Sequence, residues 1–172
     1  MLGVVPVGRV ATEGGKPMNR NAGDHVKRGM AYLKDGMFGD AIREFSEAVR
    51  LDPKSPVARL NQGVAYKGHG DPESAFKAFN DAIAVDPDNH VAYAIRGAMF
   101  QEYGEYGNAI RDFSKSIRLK PDYAMAYAHR GQAHGQMGQK IKAVQDFEKA
   151  LSLEPDFDFA KEELRKVRGG QG

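Results

Sequence analysis

Two adjacent segments of the chain carry the same pattern of small, aromatic and proline residues. Residues 56–89 read PVARLNQGVAYKGHGDPESAFKAFNDAIAVDPDN, and residues 90–123 read HVAYAIRGAMFQEYGEYGNAIRDFSKSIRLKPDY. Aligned without gaps, they place identical residues 34 positions apart at Gly63 and Gly97, Gly70 and Gly104, Ala75 and Ala109, Phe79 and Phe113, and Pro87 and Pro121. A fixed period of this length is typical of proteins built from stacked structural repeats.

The period extends in both directions and gives four copies, at residues 22–55, 56–89, 90–123 and 124–157. The outer copies repeat the columns with Gly29 and Gly131, Gly36 and Gly138, Ala41 and Ala143, Phe45 and Phe147, and Pro53 and Pro155. Since five columns agree through four copies, we interpret the chain as a tandem array.

Each copy predicts a hairpin of two helices. In the first helix of the third copy, Tyr93, Gly97 and Phe100 follow one another at i, i+4 and i+7 and therefore share a face. A glycine after that helix, as at position 70, is expected to adopt the left-handed conformation that ends a helix. Asp71 and Pro72 are expected to begin the second helix as its cap and first residue.

A second glycine lies inside the first helix of every copy, at positions 29, 63, 97 and 131. Such a glycine costs about 1 kcal/mol relative to alanine. Its recurrence at one register predicts close approach, in which the missing side chain makes room for a large aromatic residue of the partner helix.

The columns, their spacing and the two helical halves resemble the tetratricopeptide repeat family over residues 22–157. This resemblance implies an all-α, right-handed α-solenoid of helix-turn-helix repeats. A C-terminal capping helix is expected at 158–168, because the last repeat leaves an apolar face to cover. Residues 1–21 are interpreted as a flexible or vector-derived leader and residues 169–172 as a flexible tail.

One departure from the family pattern concerns the seventh position of each copy, where an apolar residue is usual. This chain has Arg28, Gln62, Arg96 and Arg130 there. We expect the arginines to pack through their apolar stems and to place the charged end in solvent.

Composition excludes several classes of function. The formal charge is +2, the two signs are interspersed along the chain, and cysteine is absent, so neither a nucleic-acid footprint nor a thiolate site is predicted. The closest histidines, His129 and His134, are about 140° apart around a helix and do not converge on one ion. We expect no catalytic residue, metal or cofactor, and the cytoplasm is the default location.

In the family, the first helices line a concave groove, and the resemblance assigns seventeen residues of this chain to peptide binding there. They are Val26, Lys27, Met30, Leu33, Val57, Leu60, Asn61, Val64, Lys67, Val91, Ala94, Ile95, Ala98, Met125, Ala128, His129 and Gln132. Because most are apolar, two interpretations stay open. The strip is either exposed and accepts a peptide or an amphipathic helix, or it is buried between neighbouring first helices.

Some tetratricopeptide proteins bind acidic chaperone tails through a two-carboxylate clamp of Lys, Asn, Asn, Lys and Arg. The matching positions here are Val26, Met30, Asn61, Val91 and Ile95. Only Asn61 fits, so the resemblance does not extend to that clamp.

The function predicted from the sequence is a non-catalytic scaffold or adaptor that binds a protein or peptide partner in an apolar groove. One alternative is a self-assembling scaffold, a homo-oligomer that uses the leader or the groove. A further alternative is an RNA-binding helical repeat, which the apolar groove and the weak net charge disfavour.

Overall fold

The computed structural model describes residues 21–169, and every regular element in that range is an α-helix. In chain order the helices are α1 (Ala22–Lys34), α2 (Phe38–Leu51), α3 (Pro56–His69), α4 (Pro72–Val85), α5 (His90–Glu102), α6 (Tyr106–Leu119), α7 (Ala124–Gln136), α8 (Lys140–Leu153) and α9 (Asp158–Gly169). Each 34-residue copy holds one pair. The predicted all-α, right-handed solenoid is confirmed.

The two ends differ from prediction by one residue each. Asn21, assigned to the leader, is the N-cap of α1, since its side chain accepts a hydrogen bond from the backbone N–H of Asp24 at 2.9 Å. Gly169, assigned to the tail, lies in α9. The rest of the predicted leader and tail fall outside the described residues. None of the described helices is both long and apolar enough to cross a membrane.

The turns within the pairs follow the predicted glycine chemistry. Gly36, Gly70, Gly104 and Gly138 have φ angles of 71°, 83°, 74° and 72°, a conformation that other residues adopt at a cost. Asp71 caps α4 by accepting a hydrogen bond from the N–H of Ser74 at 3.0 Å, and Pro72 is the first residue of α4. Each first helix therefore ends where the sequence predicts.

Within each pair, a glycine of the first helix faces a buried phenylalanine of the second. A Cβ built on Gly63 would lie 2.4 Å from the ring of Phe79, and one on Gly29 would lie 2.7 Å from that of Phe45. Both rings are fully buried. The predicted reason for the internal glycines, close approach to an aromatic ring, is confirmed.

The array bends with its first helices on the inside. Neighbouring first helices touch one another, α1 with α3, α5 with α7 and α7 with α9, while α2, α4, α6 and α8 are held apart by the first helices between them. The first helices therefore form an inner face, and the second helices form an outer face.

The arginines of the seventh position correct the expectation that their charged ends lie in solvent. Arg96 donates to both carboxylate oxygens of Asp112, at 2.7 and 2.8 Å, and Arg130 does the same with Asp146, at 2.8 and 2.7 Å. Each of these acids is buried. The arginines therefore act as polar partners of buried carboxylates, which their apolar surroundings require.

The same side chains reach the preceding copy and link neighbouring pairs. Arg96 also donates to Asn80, and Arg130 to Ser114, both residues lying 16 positions earlier. In the second copy the link is uncharged, since Gln62 donates to Ser46 at 3.0 Å. A polar rung thus joins each pair of these helices to the one before it.

One junction differs from the others in its packing. Met99 is fully buried at a register where Ala65 and Ala133 stand in the copies on either side. Among consecutive helices, α4 and α5 share the least extensive contact. At the other junctions alanine lets the helix backbones come close together. At this junction the larger side chain of Met99 fills the space between them.

At the C-terminal end, α9 buries Ala160 and Leu164 beside Phe147. The same helix carries Arg165 at the register of Gly131, and Arg168 at that of His134. In the earlier pairs, a glycine and an aromatic residue at these registers pack against the second helix. In α9 they are replaced by exposed cations, so the C-terminal end of the stack presents a charged surface to solvent.

Candidate functional site

The inner face presents apolar side chains that the core does not cover. Met30 on α1, Val57 on α3 and Met125 on α7 are 52%, 50% and 46% exposed. Between them, Val91 and Ile95 of α5 are half-buried. The face is therefore an apolar strip that runs across the first helices. At Met30, Val57 and Met125 the strip is exposed, and at Val91 and Ile95 the side chains are partly covered by neighbouring residues.

A cleft of about 320 Å³ opens in the inner face between α5 and α7. Six of its seven lining residues carry a hydrogen-bonding side chain, namely Gln101, Glu102, Tyr106, His129, Gln132 and Gln136, and the seventh is Ala98. Hydrogen-bonding groups therefore gather at the C-terminal half of a face that is apolar in its N-terminal half.

Two glutamines join the walls of the cleft. The Nε2 group of Gln101 on α5 donates to Oε1 of Gln132 on α7. The Oε1 atom of Gln101 is buried and accepts no hydrogen bond from any described group. A buried acceptor without a donor is costly, so this oxygen is a local free-energy cost of the free protein.

His129 lines the cleft and packs against two aromatic rings. Phe113 of α6 lies parallel to it, with centroids 5.7 Å apart, and Phe159 of α9 lies on another side at 5.2 Å. Burial lowers the pKa of His129 from its usual 6.5. The imidazole is therefore neutral near pH 7 and offers hydrogen bonds without charge.

Several predicted binding residues occupy the inner face as half-buried or exposed side chains. These are Val26, Lys27, Met30, Leu33, Val57, Leu60, Asn61, Val64, Lys67, Val91, Ile95, Ala98, Met125, His129 and Gln132. Leu33, Leu60 and Val64 also pack against the buried core. Their contact with a partner would compete with that packing.

Ala94 and Ala128 differ from the rest of the predicted set. They are only 6% and 0% exposed. Both lie on the sides of α5 and α7 that face neighbouring helices, and a single methyl group does not reach past them. We therefore leave these two residues out of the candidate surface.

Two polar residues of the predicted set already have partners within the protein. Lys67 of α3 pairs with Glu102 of α5 at 2.5 Å, and Asn61 donates to the backbone oxygen of Val57 at 2.9 Å. This ion pair crosses the inner face. Because Glu102 neutralises Lys67, the lysine no longer favours an acidic ligand. Lys27 is exposed.

Four cleft residues are outside the predicted binding set: Gln101, Glu102, Tyr106 and Gln136. Tyr106 differs from the other three in its position. It opens α6, a second helix, whereas the family pattern assigns ligand contacts to first helices. Its counterpart in the first copy, Phe38, lies against Gly68 of the next first helix. That contact shows that the start of a second helix reaches the neighbouring inner face, a signal that only the structure supplies.

Within residues 21–169, no cluster of three or more histidine and acidic side chains has the arrangement of a metal site. His134 donates a hydrogen bond from Nδ1 to Oε1 of Gln139 at 2.8 Å, and its Nε2 atom lies 3.9 Å from Oδ2 of Asp146.

Three family models match the chain. Residues 26–90 and 124–157 each match a model described as tetratricopeptide repeat, and residues 97–138 match one described as TPR repeat. Together they span residues 26–157 apart from 91–96. None of the curated proteins matches the chain.

Several solved structures are similar to this one. MamA matches with a TM-score of 0.75 and 28% identity, over 84% of each chain. PilF of Pseudomonas aeruginosa has a TM-score of 0.82 at 22% identity, over 87% of this chain and 68% of its own, a likeness of fold alone. The first TPR domain of Spaghetti (RPAP3), bound to the HSP90 peptide SRMEEVD, has a TM-score of 0.65 at 26% identity, over 67% and 94%.

Proposed function

Because the chain belongs to the tetratricopeptide repeat family, we propose that it is a non-catalytic scaffold whose inner face binds an extended peptide segment of a partner protein. The observation that carries the proposal is the exposure of Met30, Val57 and Met125 on three first helices of one face. Solvent-exposed aliphatic side chains in a row are the usual mark of an interaction surface.

The cleft between α5 and α7 provides hydrogen-bonding groups for the backbone of such a peptide. An extended peptide carries N–H and C=O groups that its own conformation leaves unpaired. The side chains of Gln101, Gln136 and Tyr106 line the cleft and carry hydrogen-bonding groups of the kind that such a peptide needs. We infer that apolar side chains of the ligand lie over α1 and α3, and that its backbone bonds to the glutamines between α5 and α7.

The proposed ligand differs in chemistry from the peptide in the RPAP3 structure, which ends in two glutamates, a valine and an aspartate. Where a two-carboxylate clamp has cations, this chain has apolar residues such as Val26 and Ile95. Lys67, the nearest cation on α3, is occupied by Glu102. At the clamp positions, an acidic tail would therefore lose hydration without gaining a cationic partner.

A selection from a displayed library of random peptides tests the proposal. We expect selected peptides to be rich in aliphatic residues and to bind with micromolar affinity, about 8 kcal/mol. Met30→Glu with Val57→Glu places charges in the strip and should weaken binding roughly 100-fold, since each buried aliphatic side chain contributes about 1.5 to 3 kcal/mol. Both positions are half exposed, so the melting temperature should change little.

Two controls make the result specific. Ile141→Glu alters the most exposed aliphatic residue of the outer face, at 77%, and should leave peptide affinity unchanged. The SRMEEVD peptide should not bind at concentrations where selected peptides saturate. Equal affinity of the folded Met30 and Val57 double variant, or binding of SRMEEVD with the affinity of the selected peptides, contradicts the proposal.

The same preparations address the alternatives. If the mass measured by light scattering falls when residues 1–21 are removed, self-assembly through the leader replaces peptide binding as the leading function. If RNA binds with an affinity that declines steeply with salt, the solenoid is a nucleic-acid reader.

A further inference from the structure

The outer face carries its charges in an uneven way that the sequence does not reveal. Helices α6 and α8 contain six cations, Arg111, Lys115, Arg118, Lys140, Lys142 and Lys149, against three carboxylates. Each carboxylate is bound by an arginine of a first helix or of α9: Asp112 by Arg96, Asp146 by Arg130 and Glu148 by Arg168. The negative charges of these two helices are thus neutralised.

The six cations have no such partners. None of them forms an ion pair with a carboxylate in the described part of the chain. Lys115 lies 5.7 Å from the ring centre of Tyr93, and Arg111 donates to Asn108, both contacts that keep the full positive charge. Arg111, Lys115 and Arg118 follow at i, i+4 and i+7, so they form one outward stripe.

The corresponding positions at the other end of the solenoid are balanced. Arg43 and Arg50 of α2 lie at the registers of Arg111 and Arg118. Each of them is paired within its own helix, Arg43 with Asp40 and Arg50 with Glu47. The excess of positive charge is therefore a property of α6 and α8. Lys140 lies at the register of Tyr106 and lines a cleft with Gln132 and Gln136 of the inner face. The other five cations lie within about 80° of one another around their helices, and we call them the basic outer patch: Arg111, Lys115, Arg118, Lys142 and Lys149.

An exposed aliphatic residue stands at the edge of this patch. Ile141 is 77% exposed between Lys140 and Lys142 at the start of α8, and Met137, in the turn before it, is 47% exposed. A shallow cleft beside Ile141 is lined in part by Val144. Aliphatic tips flanked by lysines are the combination that enters the headgroup region of a bilayer, where cations meet phosphate and the tip meets acyl chains.

We propose that the basic outer patch docks the protein on an anionic lipid surface, with Ile141 and Met137 entering the interface. Four cations of the patch are exposed and Lys115 is half-buried; they lie on the same side of two neighbouring second helices, so one surface meets them together. The aliphatic tips favour lipid over nucleic acid, which offers no apolar layer. This site is separate from the inner face, so scaffold and lipid contact are compatible.

Flotation of the full chain with vesicles tests the proposal. Vesicles of phosphatidylcholine with 30% phosphatidylserine are compared with pure phosphatidylcholine, in about 50 and 300 mM salt. We expect binding only to the anionic vesicles and a loss at high salt, because surface charges are screened over about a Debye length. Each cation near an anionic surface accounts for about a fivefold change in affinity.

Charge reversal at matched positions locates the contact. Arg111→Glu with Arg118→Glu should weaken vesicle binding more than 100-fold, because two favourable charges become two unfavourable ones. Arg43→Glu with Arg50→Glu reverses the same registers on α2 and should change it less than threefold. Equal effects of the two double variants, both shown to be folded by circular dichroism, would overturn the proposal.

Ile141→Ser separates lipid from other polyanions. It should weaken vesicle binding about fivefold or more, as expected for loss of a buried aliphatic tip, and leave the peptide affinity of the inner face unchanged. If Ile141→Ser has no effect on vesicles while single-stranded RNA or a poly-glutamate peptide binds the patch, its partner is that polyanion and the lipid proposal fails.

Discussion

The polar rung at Arg96 gives the sharpest test of how this solenoid is held together, because the second copy contains a natural uncharged version of it. Arg96 and Asp112 stand at the registers of Gln62 and Ala78. Replacing both, as Arg96→Gln with Asp112→Ala, therefore installs chemistry that the same fold already tolerates 34 residues earlier. Arg96→Gln alone removes the cation and leaves the carboxylate.

The size of the effect follows from burial. The side chain of Asp112 is 9% exposed and that of Arg96 is 19% exposed. Removal of one partner from a buried pair costs about 3 to 5 kcal/mol, and the slight exposure of Arg96 favours the lower value. We expect Arg96→Gln to lose about 3 kcal/mol, which for a chain of this size lowers the melting temperature by about 6 to 12 °C. The double variant should lie within about 1 kcal/mol of the parent.

Urea unfolding followed by circular dichroism, with thermal melts beside it, measures all corners of this double-mutant cycle. Arg43→Gln provides the control, since its side chain is 79% exposed and pairs of that kind contribute less than about 1 kcal/mol. If the double variant is as unstable as Arg96→Gln, or if Arg96→Gln falls no further than Arg43→Gln, the arginine does not act by neutralising a buried acid.

Two other predictions concern packing and pH. Gly63→Ala should lower stability by about 1 to 3 kcal/mol because its methyl group meets the ring of Phe79, whereas Gly107→Ala, with nothing within 4 Å, should be neutral or raise it by up to about 1 kcal/mol in the same melts. Burial lowers the pKa of His129, so the unfolded chain binds more protons and stability falls as pH drops below about 6.5. His129→Gln should flatten that dependence between pH 7.5 and 5, and an unchanged slope would exclude His129 as its source.

The sequence predicts the fold well because each structural requirement recurs at one register. Four glycines with positive φ end the first helices, and glycines such as Gly63 make room for buried rings, as predicted. The arginine contacts were predicted wrongly because each column was interpreted alone. Columns seven and twenty-three change together, with Arg96 opposite Asp112 but Gln62 opposite Ala78, and that covariation between copies was the available signal.

The inner face was harder to predict for a physical reason. Whether a residue on a first helix reaches solvent depends on the distance between neighbouring helices, which repeat patterns do not encode. The side chains of Ala94 and Ala128 are too short to reach solvent between neighbouring helices, whereas that of Met30 is long enough to be 52% exposed. The ion pair of Lys67 and Glu102 joins residues 35 positions apart. It can be predicted only when the relative placement of α3 and α5 is known.

The buried Met99 has a consequence for how the stack bends. A stack of similar units bends most easily where neighbouring units approach one another least closely, and among consecutive helices α4 and α5 do so. We therefore expect bending to concentrate at this junction, which the inner strip crosses between Val64 and Ile95. A ligand that spans the junction would fix one bending angle, so we expect the free energy of binding to include the cost of that restriction.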